Sequence, residues 1–382
     1  MAPAHATNPQ AESRLLRLPR ELRDEIYAWL FSSTRLSSGT KSFRWGKRRM
    51  KPAPNSLALL RTCRQINHEV GHTWLRHVLF SFECPEAMLD KLSALPPETV
   101  SQIRHVRTGG MPLVLKPTFD EYDHIYELVW VLKLLPQLRL DTLTVLGPAY
   151  GDIAYETLEG LVRKGNGWKV LRYVVPNSTM LGFAEIARFR NEPPYRRGPQ
   201  PGAWQSVLSG RDGDESDASV KVYRAVQPES SALNPKECCL FEQRIDPLDR
   251  SDKFGVKEDV GLMTPGEKRK ELLVVVKRGH GVEIAEKDTP PYASPEIREW
   301  ASGMSWAEIS HRCIYYLQDE VENGEGFPYC LSYFKRQDHE VMFDKYSHVD
   351  EIEWGWQRKP HIRQIEPDLL LHIFGNELHG VP

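Results

Sequence analysis

Asp141-Thr-Leu-Thr-Val-Leu146 and Lys169-Val-Leu-Arg-Tyr-Val-Val175, with the amphipathic stretch Tyr155 to Lys164 between them, read as strand, helix, strand. The two end runs are short and rich in β-branched and aromatic residues, while the middle keeps apolar residues at three- and four-residue steps. The same order recurs upstream. Glu86 to Leu95 and then Pro97 to Gln102 lead into Ile103-Arg-His-Val-Arg107, and Glu121 to Leu135 leads into Asp141 to Leu146. Each strand is followed by a Gly, Pro or Asn turn. A helix between successive strands supplies the crossover that parallel pairing needs, so three parallel strands are expected. The strand spacing is irregular, which leaves two architectures open: a short stacked α/β array sharing one core, or an ordinary open α/β sheet. In either, the strand ends and the loops after them form a recognition surface.

Working outward to the N-terminus, Arg17-Leu-Pro-Arg-Glu-Leu-Arg-Asp-Glu-Ile-Tyr-Ala-Trp-Leu-Phe31 meets the local rules for a short helix. Pro19 suits the first helical position, and Glu21, Asp24 and Glu25 put negative charge near the positive end of the helix dipole. Leu22, Ile26, Trp29 and Leu30 form one apolar stripe, with Arg20, Arg23 and Asp24 on the other side.

Leu18-Pro19-x-Glu21-Leu22-x-x-x-Ile26-x-x-x-Leu30 resembles the opening of an F-box, the helical module that docks substrate receptors onto the adaptor of cullin-based ubiquitin ligases. Leu59-Leu60-Arg61-Thr62-Cys63-Arg64-Gln65-Ile66, then Glu69 and the aromatic tail Trp74 to Phe82, is similar to the second half of fungal F-box-like proteins. A related set of fungal domains is built around a Glu-x-Arg motif, here Glu21-Leu22-Arg23. The resemblance covers about the first fifth of the chain. It implies that Leu18, Pro19, Leu22, Ile26 and Leu30 contact the adaptor, with Cys63 and Ile66 supporting them from a second helix.

The 382 residues exceed what one compact core usually needs, and 50 Lys and Arg against 52 Asp and Glu give no global field to draw in nucleic acid or an anionic membrane. Met1 to Glu12 is polar and Pro-bearing, a disordered tail rather than a signal peptide. The longest apolar run, Leu128 to Leu135, is broken by Lys133 and is too short to span a bilayer. Cytoplasmic or nuclear residence is expected. Six cysteines, Cys63, Cys84, Cys238, Cys239, Cys313 and Cys330, lack the spacing of a disulfide framework or a zinc site.

Residues 32–56 read as a basic loop, with six Lys or Arg and two aromatics between Lys41 and Lys51. That composition suits a nuclear localisation signal, a phosphate-contacting patch or a solvated loop. Leu57 to Phe80 follows as a helix whose face Leu59, Cys63, Ile66, Val70, Trp74 and Val78 is core. The same helix holds His68-Glu69-Val70-Gly71-His72, a literal H-E-x-x-H, in which two histidines one turn apart would bind zinc and the glutamate would activate water. A third ligand is wanting: His77 stands one residue short of the metzincin spacing, and Glu98 has no ligand-bearing context. By helical phase both histidines lie on the polar side, so no metal is expected there.

Residues 191–268 are poor in apolar groups and rich in Pro, Gly and charge, and read as a flexible insertion in which Val220 to Val226 adds at most a strand. Glu271-Leu-Leu-Val-Val-Val276 with Val282-Glu-Ile-Ala285 reads as a hairpin that opens a second domain or completes the first sheet. Beyond it, Pro295 to Gln318 and Pro367 to Glu377 read as helices and Tyr329 to Phe334 and Glu340 to Tyr346 as strands. Ser305 lacks the glycine and strand of a hydrolase elbow and reads as a helix N-cap. Trp354-Gly-Trp356 is read as packing.

The expected organisation is thus a tail at 1–12, an F-box-like helical module at 13–84, a mixed α/β region at 85–190 of leucine-rich-like or open-sheet type, an insertion at 191–268 and an α+β region at 269–382. The expected role is non-catalytic substrate recognition for a ubiquitin ligase, without metal or cofactor, with a stand-alone interaction protein as the alternative and a zinc hydrolase as the remote one.

Overall fold

The structure is a computed structural model, and it describes residues 13–38, 40–43, 46–49, 57–120, 124–182, 201–228, 230–242, 261–262, 264–286 and 296–313. The expected tail at 1–12, the strands and helix expected beyond residue 320, Cys330 and Trp354-Gly-Trp356 lie outside these residues.

Helix α1 (Arg20–Ser32) leads into edge strand β1 (Arg35–Ser38) and an antiparallel pair, β2 (Thr40–Phe43) and β3 (Gly46–Arg49). The expected loop at 32–56 therefore contains strands. The expected helix over Leu57 to Phe80 is broken into a 3-10 turn (Ala58–Arg61), α2 (Arg64–Val70), a second 3-10 turn (Thr73–Arg76) and β4 (Leu79–Phe82). Two residues break it. Cys63 is extended and its Sγ accepts the Ile66 N–H as an N-cap, and Gly71 at φ 48 ends α2 in the left-handed region. The expected core face largely holds, with Ile66, Val70, Trp74 and Val78 buried.

Next come α3 (Pro85–Leu92), capped by Cys84 Sγ with Pro85 in its first turn, and α4 (Pro97–Val100), then β5 (His105–Gly109). Where one helix was expected over Glu121 to Leu135, the described part holds β7 (His124–Tyr126), hairpin partner of β6 (Leu113–Leu115), and α5 (Leu128–Leu132). The five residues of α5 are buried all round, which is why no amphipathic stripe marks them. Strand β8 (Leu140–Leu146), α6 (Gly151–Lys164) and β9 (Trp168–Val175) are the unit read from the opening stretch. They are followed by α7 (Thr179–Gly182), α8 (Gly202–Asp212), β10 (Ser219–Ala225), β11 (Cys238–Leu240), α9 (Pro265–Lys268), β12 (Leu272–Lys277) and α10 (Trp306–His311).

One eight-stranded sheet runs β1-β4-β5-β8-β9-β12-β10-β11. Its first five strands are parallel and lie in chain order, the arrangement of stacked helix-strand units; β12, β10 and β11 then add antiparallel strands and make the sheet mixed. Helices α3, α5, α6 and α8 pack side by side in the same order, so they cover one face. That face carries the main core, with Val106, Leu143, Leu171, Val274 and Val222 of the strands against Leu158, Leu161 and Val129 of the helices.

Three element readings change. β12 does not form a hairpin with 282–285, which holds no strand; it enters between β9 and β10 and completes the first sheet. Its unbroken apolar run is the mark of a central strand flanked on both sides. The segment 191–268 supplies α8, whose Trp204 is fully buried and donates to Glu159 Oε2 at 2.6 Å, together with β10 and β11. Pro295 to Gln318 is not one helix: a 3-10 turn (Ile297–Glu299) precedes α10, which Ser305 caps in a reciprocal capping box with Glu308.

Candidate docking surface

Pro19 occupies the N-cap of α1, one residue ahead of the expected first turn, with φ −51 and ψ 150. The helix is fixed by the side the sequence reads as polar. Arg23, Tyr27 and Phe31 are 8%, 4% and 1% exposed, and the two aromatics join the main hydrophobic core. Arg23 grips Glu69 of α2 with two hydrogen bonds, Nη2 to Oε1 at 2.6 Å and Nε to Oε2 at 3.0 Å. Tyr27 Oη donates to Glu69 Oε2 at 3.1 Å and Gln65 Nε2 to Oε1 at 2.8 Å. The other end of the same guanidinium donates to the Leu18 and Leu16 carbonyls, which ties down the chain entering the helix. Arg20 donates to the Glu69 carbonyl at 2.6 Å and pairs with Asp24 one turn on.

A carboxylate with four charge-assisted or neutral donors around it holds its charge strongly. The Arg23 hydrogen bonds first, then those of Gln65 and Tyr27, pull the Glu69 carboxyl down to about 2 against the opposing effect of burial. Burial, and the hydrogen bond to Glu69, push the Tyr27 phenol up.

The opposite consequence falls on the apolar stripe. Leu22, Ile26, Trp29 and Leu30 are 47%, 41%, 63% and 40% exposed, four of the eight large apolar side chains that stand exposed among the described residues. Pro19 is exposed at the start of this stripe and Leu18 is half-buried. Cys63 and Ile66 do not join it: Cys63 is half-buried as the cap of α2, and Ile66 is 4% exposed in the core. The link between the two helices is Arg23 to Glu69, which sequence reasoning missed. Its one signal was the Glu21-Leu22-Arg23 motif paired with an acidic residue on the second helix.

The H-E-x-x-H reading changes for the same reason. Glu69 is enclosed by Arg23, Tyr27 and Gln65, and His72 lies beyond Gly71, outside α2, so the two histidines do not share one helical face. Both are exposed, Glu98 sits exposed on α4, and the described residues hold no cluster of three or more His, Cys, Asp or Glu placed to bind a metal. Cys238 and Cys239 are free thiols on β11, the first raised in pKa by burial.

The fold and this surface define a mixed α/β protein with an N-terminal helical cap that turns an apolar face outward. No family model matches the chain, and no solved structure matches it. Among curated proteins it is similar to human Centlein, 24% identical over 162 residues, which is 41% of this chain and 11% of that protein. Mouse Centlein is 25% identical over 149 residues, 38% of this chain and 10% of its own length. The chain thus spans about a tenth of these relatives.

Proposed function

We propose that the N-terminal helices are an F-box-like docking module for the adaptor of a cullin-based ubiquitin ligase, with the sheet domain as a non-catalytic receptor for a protein substrate. The observation behind this reading is the outward stripe of α1. Apolar side chains in solvent on a helix whose other side is pinned by a buried ion pair are poised for a partner's groove. Leu22, Ile26, Trp29 and Leu30 repeat at the spacing of helix-in-groove anchors. Work in the cytoplasm or nucleus follows from this role; no helix among the described residues is long and apolar enough to cross a membrane.

The test is a pull-down with purified adaptor. The Leu18→Ala, Pro19→Ala double variant keeps its circular dichroism spectrum and loses the adaptor. Truncating an interface anchor costs ~2 kcal/mol or more, roughly thirtyfold in affinity. No binding of the unaltered protein at micromolar concentration refutes the ligase reading.

A second reading, a stand-alone interaction protein whose N-terminal helices cap the α/β unit, is favoured by one observation. Tyr27 and Phe31 of α1 share the core of the sheet domain, and β1 directly after α1 is the edge strand of the same sheet.

A further inference from the structure

Strand β11 is the last strand of the sheet among the described residues, and its outer side is open. The pairing shows which backbone groups face outward. Val226 N–H donates to the Glu237 carbonyl and Phe241 N–H to the Val222 carbonyl, so residues 237, 239 and 241 bond inward to β10. Alternate residues of an antiparallel ladder turn the other way, which directs the N–H and C=O of Cys238 and Leu240 out of the sheet. Such an edge is a template for another strand, and a charge of one sign beside it is a common guard.

The flanks of β11 carry two charges of opposite sign instead. Lys236 stands three residues before Cys239 and Glu242 three residues after it. Both are exposed, and neither makes an ion pair among the described residues. One face of the edge is also apolar. Leu146, Val174, Leu273, Tyr223 and Leu240 pair in succession, so an apolar row crosses five strands and ends on the exposed Leu240. Ala232 and Leu233 pack at its buried end, while Tyr223 and Cys238 are half-buried beside Leu240.

We propose that a second copy of this chain pairs with β11, antiparallel and about a two-fold axis at Cys239, so that the sheet continues through two molecules. Charge sets the register. With Cys239 opposite Cys239, Lys236 of each copy meets Glu242 of the other, and Cys238 of each faces Leu240 of the other. Cys238 and Leu240 then exchange both of their outward backbone bonds, and the exposed Leu240 side chain gains an apolar neighbour. A parallel arrangement sets like charges side by side, and an antiparallel shift of two residues separates Lys236 from Glu242. An unrelated extended peptide would account for the open edge, but not for flanking charges that match their own two-fold image. A three-residue strand gives a small interface, which suits weak and reversible association.

Sedimentation equilibrium of the full chain under reducing conditions tests the association, and disulfide trapping tests the register. A concentration-dependent dimer is expected. Cys239 opposite Cys239 is a non-hydrogen-bonded pair with Cα atoms ~4.5 Å apart, within the ~4.4–6.8 Å that a disulfide spans. The thiol is exposed and rests on the Arg224 carbonyl at 3.7 Å, a weak bond that a side-chain rotation releases. Copper phenanthroline in air should therefore link two copies of the Cys238→Ala variant, dioxygen taking up the two electrons and two protons that the thiols lose. Peptide mapping should place the link between the two Cys239 residues. Lys236→Glu turns both reciprocal pairs repulsive and should weaken the dimer at least about fivefold; Lys236→Glu with Glu242→Lys should restore it, with circular dichroism unchanged in both. A strictly monomeric chain, a link that omits Cys239, indifference to Lys236→Glu, or no restoration by the double exchange overturns the proposal. Loss of the dimer in Leu22→Ala with Ile26→Ala also overturns it, since the contact would then lie on α1.

Discussion

Helices α1 and α6 are nearly the same length, 13 and 14 residues, and both carry a clear apolar stripe, yet they use it in opposite ways. In α6 the stripe is the buried face: Ala154, Tyr155, Leu158, Leu161 and Val162 are all at most 2% exposed. In α1 the stripe stays in water, and the helix packs through Arg23, Tyr27 and Phe31. Periodicity shows that a helix has an apolar side. It does not say what that side meets, because a satisfied arginine with its aliphatic stem is also a packing surface.

The comparison can be broken in several ways. The largest effect on α1 is expected for Glu69→Ala, which leaves the part-buried Arg23 guanidinium without its carboxylate. Loss of amide-exchange protection in α1 would report it, and a cost below ~1 kcal/mol would mean that α1 is held by Tyr27 and Phe31 alone. Leu158→Ala in α6 comes next, at ~2–5 kcal/mol in a denaturant titration, the usual cost of a core truncation. Acid should separate the helices too. Glu69 has a folded pKa of about 2, below its unfolded value, so its contribution is full above pH ~4.3 and is lost as pH falls towards 2. Protection factors in α1, taken against the intrinsic exchange rate at each pH, should therefore fall across that window before those in α6 do. The smallest effect belongs to Leu22→Ala, within about 0.5 kcal/mol in the free protein. A larger loss would show that the stripe of α1 is packed after all.

The sequence made β5, β8, β9 and α6 legible because strand and helix periods alternate cleanly there and Gly or Pro closes each strand. Strand β12 was legible as a strand but its neighbours were not, since its pairing with β9 and β10 is non-local; only the unbroken Leu272 to Val276 run hinted at a central position. Helix α8 was hidden by the Pro-, Gly- and charge-rich chain around it. Trp204 and Leu208, one turn apart, with Gly213 at φ 95 just past the helix end, were its local signals. At the candidate site the stripe of α1 was legible and its orientation was not, because that depends on one carboxylate in α2 meeting one guanidinium in α1.

The place of β12 in the sheet also sets an order of events during synthesis. Val174 of β9 pairs with Leu273 of β12, roughly a hundred residues later, a long loop to close and a slow kind of contact to form. Until the ribosome has released residue 277, β9 ends the parallel half with an unpaired edge, and β10 has no neighbour on that side. Two sticky strand edges then coexist on one nascent chain. A chaperone, or fast collapse of α8 onto α6 through Trp204, is what would keep them from pairing with another molecule in that interval.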